Sequence, residues 1–429
     1  MNPMKQAPST FVEQRDSTSA QPSTALQMIR QLARDKFAAR ADEYDRNPRF
    51  PTENFIDLLA AGLIAPTLGT EWGGLGLGHH RGDIHTLWEM TSAIAAADLS
   101  MARCWEAHAN SVLLLDCLGT AAQKARWAPG IVEKGEIWAA WSGEPLLPKP
   151  GEVRKFGTTL VETPEGFIIH GTKVFCSGAP GADKAILLVH RAGRGGARHS
   201  SGAPEGLLLL VADLHNPDIE VDGSWWDPIG MRSSVSYLVK FNNAFIPKEN
   251  LLGKPGEYLL DEWQTRFSPH YGATFLGGAT SAYDYALTYA RSQGKEADPY
   301  VQHRIGKMSV ALETGHLWMQ QTARLWETGR NSEARAAGAR TRYMLEQVAT
   351  EVMEHCLHIC GARGLIRPSR LERIYRDLSF YMRHDSLDHV LATVGKAALG
   401  MQADASFFRP NPAPLGKEGK DEAIGPRPQ

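Results

Sequence analysis

The sequence predicts an α+β protein in which helices, a compact β domain and a second set of helices follow one another along the chain. Three observations carry this. Apolar residues recur at helical spacing from Ala25 to about Ala140, first at Met28, Leu32 and Phe37 and then at Phe55, Leu58 and Leu59. Between about Trp141 and Gly253 the texture changes to short apolar and β-branched runs divided by turn residues: FIIHGTKVF, AILLVHR, GLLLLVADL and VSYLVKFNNAFIP. Helical periodicity then returns from Leu252 to about Ala405, in segments with few breakers such as TFLGGATSAYDYALTYARSQ, and predicts a bundle. No internal repeat occurs, and strands do not alternate with helices, so a doubly wound parallel sheet is not expected.

The elements divide the 429 residues into five stretches. Residues 1–24 are rich in Ser, Thr, Pro and Gln and are expected to form a disordered tail. A helical domain over 25–140 is interrupted by a Gly-rich loop from Gly69 to Gly78, a β domain covers 141–253, and a helical bundle covers 254–405. Residues 406–429 mix Pro, Gly and charge and read as a second disordered tail.

Composition narrows the function classes. Lys and Arg number 46 against 48 Asp and Glu, without a long block of either sign, so a nucleic-acid partner is not expected. The five cysteines are odd in number and sparse, which disfavours a disulfide framework and fits a cytoplasmic setting. Cys356 and Cys360 stand one helical turn apart with no second ligand pair at metal spacing, and read as small core residues. No apolar run approaches a signal peptide or a membrane span. Gly73, Gly74, Gly76 and Gly78 follow a helix rather than a strand, so they are not a dinucleotide fingerprint, and neither a Walker loop nor a serine nucleophile elbow is found.

Five segments in order carry a resemblance. They are GLIAPTLGTEWGGLGLG (62–78), GFIIHGTKVFCSGAPGADKAILLV (166–189), IGMRSSVSYLVKFNNAFIPKENLLGKPGEY (229–258), YARSQGK around Arg291, and HICGARGLIRPSRLERIYRD (358–377). With them, from about Ala25 to Gly400, the chain resembles the acyl-CoA dehydrogenase superfamily of flavoproteins. The resemblance implies an N-terminal helical domain, a middle β-barrel, a C-terminal four-helix bundle, a flavin between barrel and bundle, and a homotetramer. FAD is the implied flavin, with FMN as the alternative.

Matched positions acquire roles from the resemblance. Ser177 matches the hydroxyl residue presented to the flavin, with Phe175 where the family usually has a packing Trp. AAWSGEP (139–145) matches the flavin-contacting turn and places Trp141 and Ser142 near the ring. Arg291 matches an arginine on the flavin pyrophosphate, a group suited to its planar fork. In HICGARG, His358 stands where the family has a glutamine and Ala362 where it has a glycine, while Gly361 and Gly364 match the turn that approaches a neighbouring subunit's diphosphate. Without the motif, those two glycines read as a helix cap.

Two chemistries follow. In the first, a dehydrogenase acting on an acyl-CoA or related activated carbonyl, a carboxylate removes a proton while the flavin takes hydride, and Asp385 is the motif-matched base. The alternative base position, near Arg266, Phe267 and Ser268, holds no carboxylate. In the second, a two-component monooxygenase, reduced flavin and oxygen act on a small sulfur, nitrogen or aromatic substrate. His384 then supplies a hydrogen bond or proton, steadied by Ser177, and His108 is a further candidate for the same pocket. The family's Gly-Ser-Asp is missing after the Glu-Pro turn in GEPLLPKPGEVRKFG, which counts against CoA binding and points toward the second chemistry, while the first, with Asp385 as base, stays the leading expectation. A separate flavin reductase or an electron-transfer partner is implied in either case.

Overall fold

The computed structural model describes residues 22–145, 157–191 and 206–400. Apart from 22–24, which open the first helix, both expected tails lie outside these residues.

Helices occupy the first third. They are α1 (Pro22–Leu32), a π-helical turn (Ala33–Phe37), α2 (Ala38–Arg46), α3 (Thr52–Ala60), α4 (Ile84–Ala97), α5 (Leu99–Leu118) and α6 (Ala121–Lys134). Their starts are encoded locally. Asp98 accepts from the amides of Ser100 and Met101 to open α5, and Thr120 with Gln123 forms a capping box on α6. Helix α5 is buried on nearly every side, so it is the axis against which the rest packs.

Eight strands follow: β1 (Trp138–Trp141), β2 (Thr159–Glu162), β3 (Gly166–Cys176), β4 (Lys184–Arg191), β5 (Leu207–Asp213), β6 (Ile219–Asp222), β7 (Tyr237–Pro247) and β8 (Leu251–Leu252). They form one sheet in the order β6-β7-β3-β2-β4-β5-β8, with β1 parallel to β4. The expected barrel is corrected here, because among the described residues the sheet stays open. Closure needs long edge strands in matched register, and the edges are the four-residue β6 and the two-residue β8. Strands β4 and β5 are buried on both faces. Leu187, Val189, Leu208 and Leu210 fill a core on one side, while Ile186, Leu188, Leu209 and Val211 join the helical core on the other. Their unbroken apolar runs are the signature of that double burial.

The last third is helical: α7 (Glu257–Leu260), α8 (Trp263–Ser292), α9 (Pro299–Glu327), α10 (Asn331–Cys360), α11 (Arg370–Tyr381) and α12 (Leu387–Ala398). Helix α8 packs on α10 and α4. At Gly277 a side chain is forbidden, since its Cβ would stand 2.2 Å from the carbonyl oxygen of Ser92 on α4. The five cysteines are free and four of them, including Cys356 and Cys360, are buried. No described helix is long and apolar enough to cross a membrane.

Candidate active site

Helix α5, the end of β1, strands β4 and β5, the start of α8 and the turn between α11 and α12 line a cleft of about 90 Å³ that opens to solvent. Arg103 and Asn110 reach it from α5, Trp141 and Ser142 from β1, Phe267 and Tyr271 from α8, and His384 from the turn. Leu114, Leu188 and Leu209 supply an apolar wall.

One hydrogen-bond network anchors the polar side. Arg103 Nε donates to Ser177 Oγ at 3.1 Å, and Ser177 continues through Ser236 to Ser234 at 2.9 and 2.8 Å. Trp141 Nε1 donates to the Ser177 carbonyl at 3.3 Å, which joins the two motif segments directly. Arg103 Nη1 also donates to Glu106 at 2.6 Å, and the fully buried Glu106 accepts from Tyr381 Oη at 2.9 Å and Thr274 Oγ1 at 3.0 Å. Burial pushes the Glu106 carboxyl up against the pull of Arg103 and these donors.

The turn that carries Trp141 and Ser142 is held from behind. Gly143 lies so close to β3 that a Cβ would meet the Val174 carbonyl oxygen at 2.4 Å. Glu144, buried, pairs with the buried Lys173 and accepts from the amides of Gly157 and Thr158 at 3.1 Å. Lys173 donates also to the Leu188 carbonyl at 2.7 Å. Phe175, by contrast, is 54% exposed with φ at 52°, and its ring meets Trp225 at 5.0 Å. Thus Trp141 and Ser142 line the cleft with His384, and Trp141 bonds to Ser177, whereas the Phe175 ring turns to Trp225 and Trp226 outside it.

His384 and Asp385 part company. The His384 ring packs 4.8 Å from Tyr271 and 5.5 Å from Tyr381 while its outer side stays exposed; desolvation against these rings, followed by the charges of Arg103 and Arg342, pushes its pKa well below the usual value. Asp385 accepts from the fully buried Arg342 at 2.5 Å and does not line the cleft. The two residues lie in a turn after α11 and not on a helix.

His108 is corrected. Its Nε2 donates to the Ile64 carbonyl at 2.8 Å and its Nδ1 accepts from the Trp138 amide at 2.9 Å, so both ring nitrogens are spent on the main chain. Burial lowers its pKa to about 4. It splices β1 to the helical domain and faces away from the cleft.

Arg291, His358, Gly361 and Gly364 gather elsewhere. Arg291 lies 20 residues beyond Tyr271 on α8, about 30 Å along the axis. The end of α10 lies at the same end of the bundle, where Arg304 at the start of α9 donates to His355 at 3.2 Å. Arg291, His358 and Gly361 are exposed, and His358 stands 4.0 Å from Glu354. Gly364 is a packing glycine, whose Cβ would meet Cys360 at 2.8 Å and Leu371 at 3.0 Å. One chain does not bring these residues to its own cleft. The missing Gly-Ser-Asp falls on a segment mostly outside the described residues.

Sequence reasoning missed Arg103, Glu106, Tyr271 and Tyr381. A signal existed, because Arg103 and Glu106 form an i,i+3 charged pair in a helix otherwise apolar on all sides. A second cluster, His79, His80 and Cys117, has ligand atoms within 4.8 Å of one another. It is set against a cation: Arg266 donates to His79 at 2.9 Å, and burial raises the Cys117 thiol to about 12.

Helices, open sheet and helices around such a cleft define a three-part oxidoreductase architecture. The chain belongs to the acyl-CoA dehydrogenase superfamily: residues 20–135 match the acyl-CoA dehydrogenase N-terminal domain and residues 268–383 its C-terminal domain. It is similar to the dibenzothiophene monooxygenase of Rhodococcus qingshengii, with 26% identity over 94% of this chain and 98% of that protein. It is also similar to the mitochondrial isovaleryl-CoA dehydrogenase of Arabidopsis thaliana, with 26% identity over 82% of this chain and 85% of that one. Among solved structures, TdsC from Paenibacillus sp. A11-2 with FMN and indole shares the fold at a TM-score of 0.77 and 22% identity, over 90% of this chain and 99% of that one.

Proposed function

We propose that this chain is a flavin-dependent monooxygenase that acts on a small substrate with reduced flavin and dioxygen. The observation that carries the reading is the separation of His384 from Asp385. Proton abstraction beside a thioester needs a carboxylate in the cleft, and Asp385 is committed to Arg342 while Glu106 is enclosed by donors. Among the described lining residues the cleft offers an imidazole and no carboxylate. Relatives named as dibenzothiophene monooxygenases, which match nearly the whole chain, support the same reading.

The residues fit a flavin. Phe175 holds an apolar ring outward beside Trp225, a surface suited to an isoalloxazine face, and the Ser177 and Ser142 hydroxyls and the Arg103 guanidinium at the cleft offer hydrogen bonds to a polar ring edge. When bound, reduced flavin supplies the two electrons that take one oxygen atom of dioxygen to water while the other enters the substrate. Arg103 orients the Ser177 hydroxyl, Trp141 fixes its main chain, and His384 holds a proton at the opposite wall. Arg291 and the 358–364 turn serve the flavin phosphate of a second copy, so the working form is a homo-oligomer. The loss of the family glutamine at His358 and the packing role of Gly364 support FMN over FAD. A separate reductase supplies the reduced flavin.

Under anaerobic conditions a panel of acyl-CoAs should leave the oxidised flavin yellow. With a flavin reductase and isotope-labelled dioxygen, the product formed from one of a panel of small neutral and anionic acceptors should carry one labelled oxygen atom. Bleaching by any acyl-CoA in the absence of oxygen would overturn the reading. His384→Ala should lower product per oxygen consumed by roughly two orders of magnitude, the usual worth of a positioned acid or base.

A further inference from the structure

From the donors in this cleft we infer that its ligand is a compact organic oxyanion, such as a short sulfinate, sulfonate or carboxylate, held by Arg103. The inference rests on the cleft being the substrate end of the proposed monooxygenase site, and deepens that reading to a substrate class.

Donors outnumber acceptors in the lining of the cleft. Among the described lining residues there is no Asp or Glu, whereas Arg103, Asn110, Ser142, Tyr258 and Tyr271 all present N–H or O–H groups. Arg103 spends Nε on Ser177 and Nη1 on Glu106 and Tyr381, and its Nη2 makes no hydrogen bond to a described residue. Asn110 accepts from His270 at 2.7 Å through Oδ1, which turns its amide N–H groups outward. Burial pushes the hydroxyls of Tyr258 and Tyr271 upward, so both remain protonated donors at neutral pH. The charged groups behind this wall are already matched: Glu106 with Arg103, and Asp385 and Glu346 with Arg342. None of the carboxylates turns toward the ligand, so nothing in the lining repels an anion.

A neutral aromatic sulfide offers these donors almost nothing, and leaving them dry would cost each its lost hydration. An oxyanion accepts several at once, and its short apolar body has the Leu114, Leu188 and Leu209 wall to lie against. Tyr271 also lies under the Arg103 guanidinium at 5.9 Å, which keeps the fork in place.

The test is titration of the oxidised, flavin-loaded protein with methanesulfinate, methanesulfonate and propionate, and with neutral dimethyl sulfone and dibenzothiophene, followed by calorimetry. At least one oxyanion should bind about tenfold or more tightly than either neutral ligand, the equivalent of one charge-assisted hydrogen bond. Arg103→Lys should weaken that binding severalfold and Arg103→Met by more than about tenfold, with neutral ligands unaffected. Since Arg103→Met strands Glu106, Tyr271→Phe provides a second variant that removes one hydroxyl and should cost the oxyanion severalfold. Tighter binding of the neutral ligands overturns the inference. So does oxyanion binding confined to flavin-free protein, which would assign the donors to the flavin. Because no turnover occurs in these titrations, their failure is distinct from acyl-CoA bleaching, which sinks the oxygen-transfer reading instead.

Discussion

Arg342 decides what Asp385 does. It is fully buried between Glu346 at 2.8 Å and Asp385 at 2.5 Å, with Phe275 beneath its guanidinium at 4.4 Å. Asp385→Asn keeps the shape and removes half the counter-charge, so it should lower unfolding free energy by about 1.5–3 kcal/mol. Urea denaturation measures this, and a variant as stable as the parent would refute the pairing. Legibility at this scale was uneven. Ser177, Trp141 and Ser142 stand in motifs that are local in sequence, and the structure joins Trp141 to Ser177 by a hydrogen bond. His108 misled because an isolated histidine in an apolar helix looks the same whether it faces a cleft or bonds the main chain. Arg103 was invisible to periodicity, since a helix buried all round has no polar face against which a functional charge stands out.

The turn after β1 depends on strand β3 through the Glu144–Lys173 pair, which has no exposure on either side chain. Removing one partner leaves the other charged and dry. Lys173→Met should destabilise by about 3–5 kcal/mol, and Glu144→Gln by a comparable amount. The double variant should cost clearly less than the sum, and additive losses would show that the two side chains act independently. Both single variants should also release flavin more readily on dialysis, because the Ser142 turn loses its support. The strands themselves were legible from their apolar runs. The open sheet was not, because closure is set by the lengths of β6 and β8 and by pairing between distant segments, which no local pattern records.

Across the whole molecule, His79, His108 and His270 are buried and held neutral. Burial lowers His79 and His270 to about 3 and His108 to about 4, all below the usual 6.5. The unfolded chain therefore binds more protons between these values and 6.5, and their contribution is complete above 6.5 and lost as pH falls toward 4. His108 alone accounts for roughly 3 kcal/mol across that window. Asp377 works the other way. Burial raises it to about 7, so its contribution is complete below its ordinary value of 3.8 and lost as pH rises through 7. Denaturant midpoints should fall from pH 6.5 to pH 4, because these three histidines outweigh the one aspartate over that window. His108→Gln should flatten this fall, and Asp377→Asn, which still accepts from Met231, should steepen it by removing the group that opposes it. A midpoint that rises from pH 6.5 to pH 4 would contradict this assignment.

The length of α8 has a genetic consequence. Helix α8 keeps the cleft at Tyr271 about 30 Å from Arg291 in each chain, so on the proposed sharing of sites a lesion at the cleft disables a different site from a lesion at Arg291. Two inactive alleles, Ser177→Ala and Arg291→Ala, expressed in one cell should assemble mixed particles in which some sites inherit neither defect. Activity recovered from two dead parents, and absent when each is expressed alone, would be the signature of that geometry.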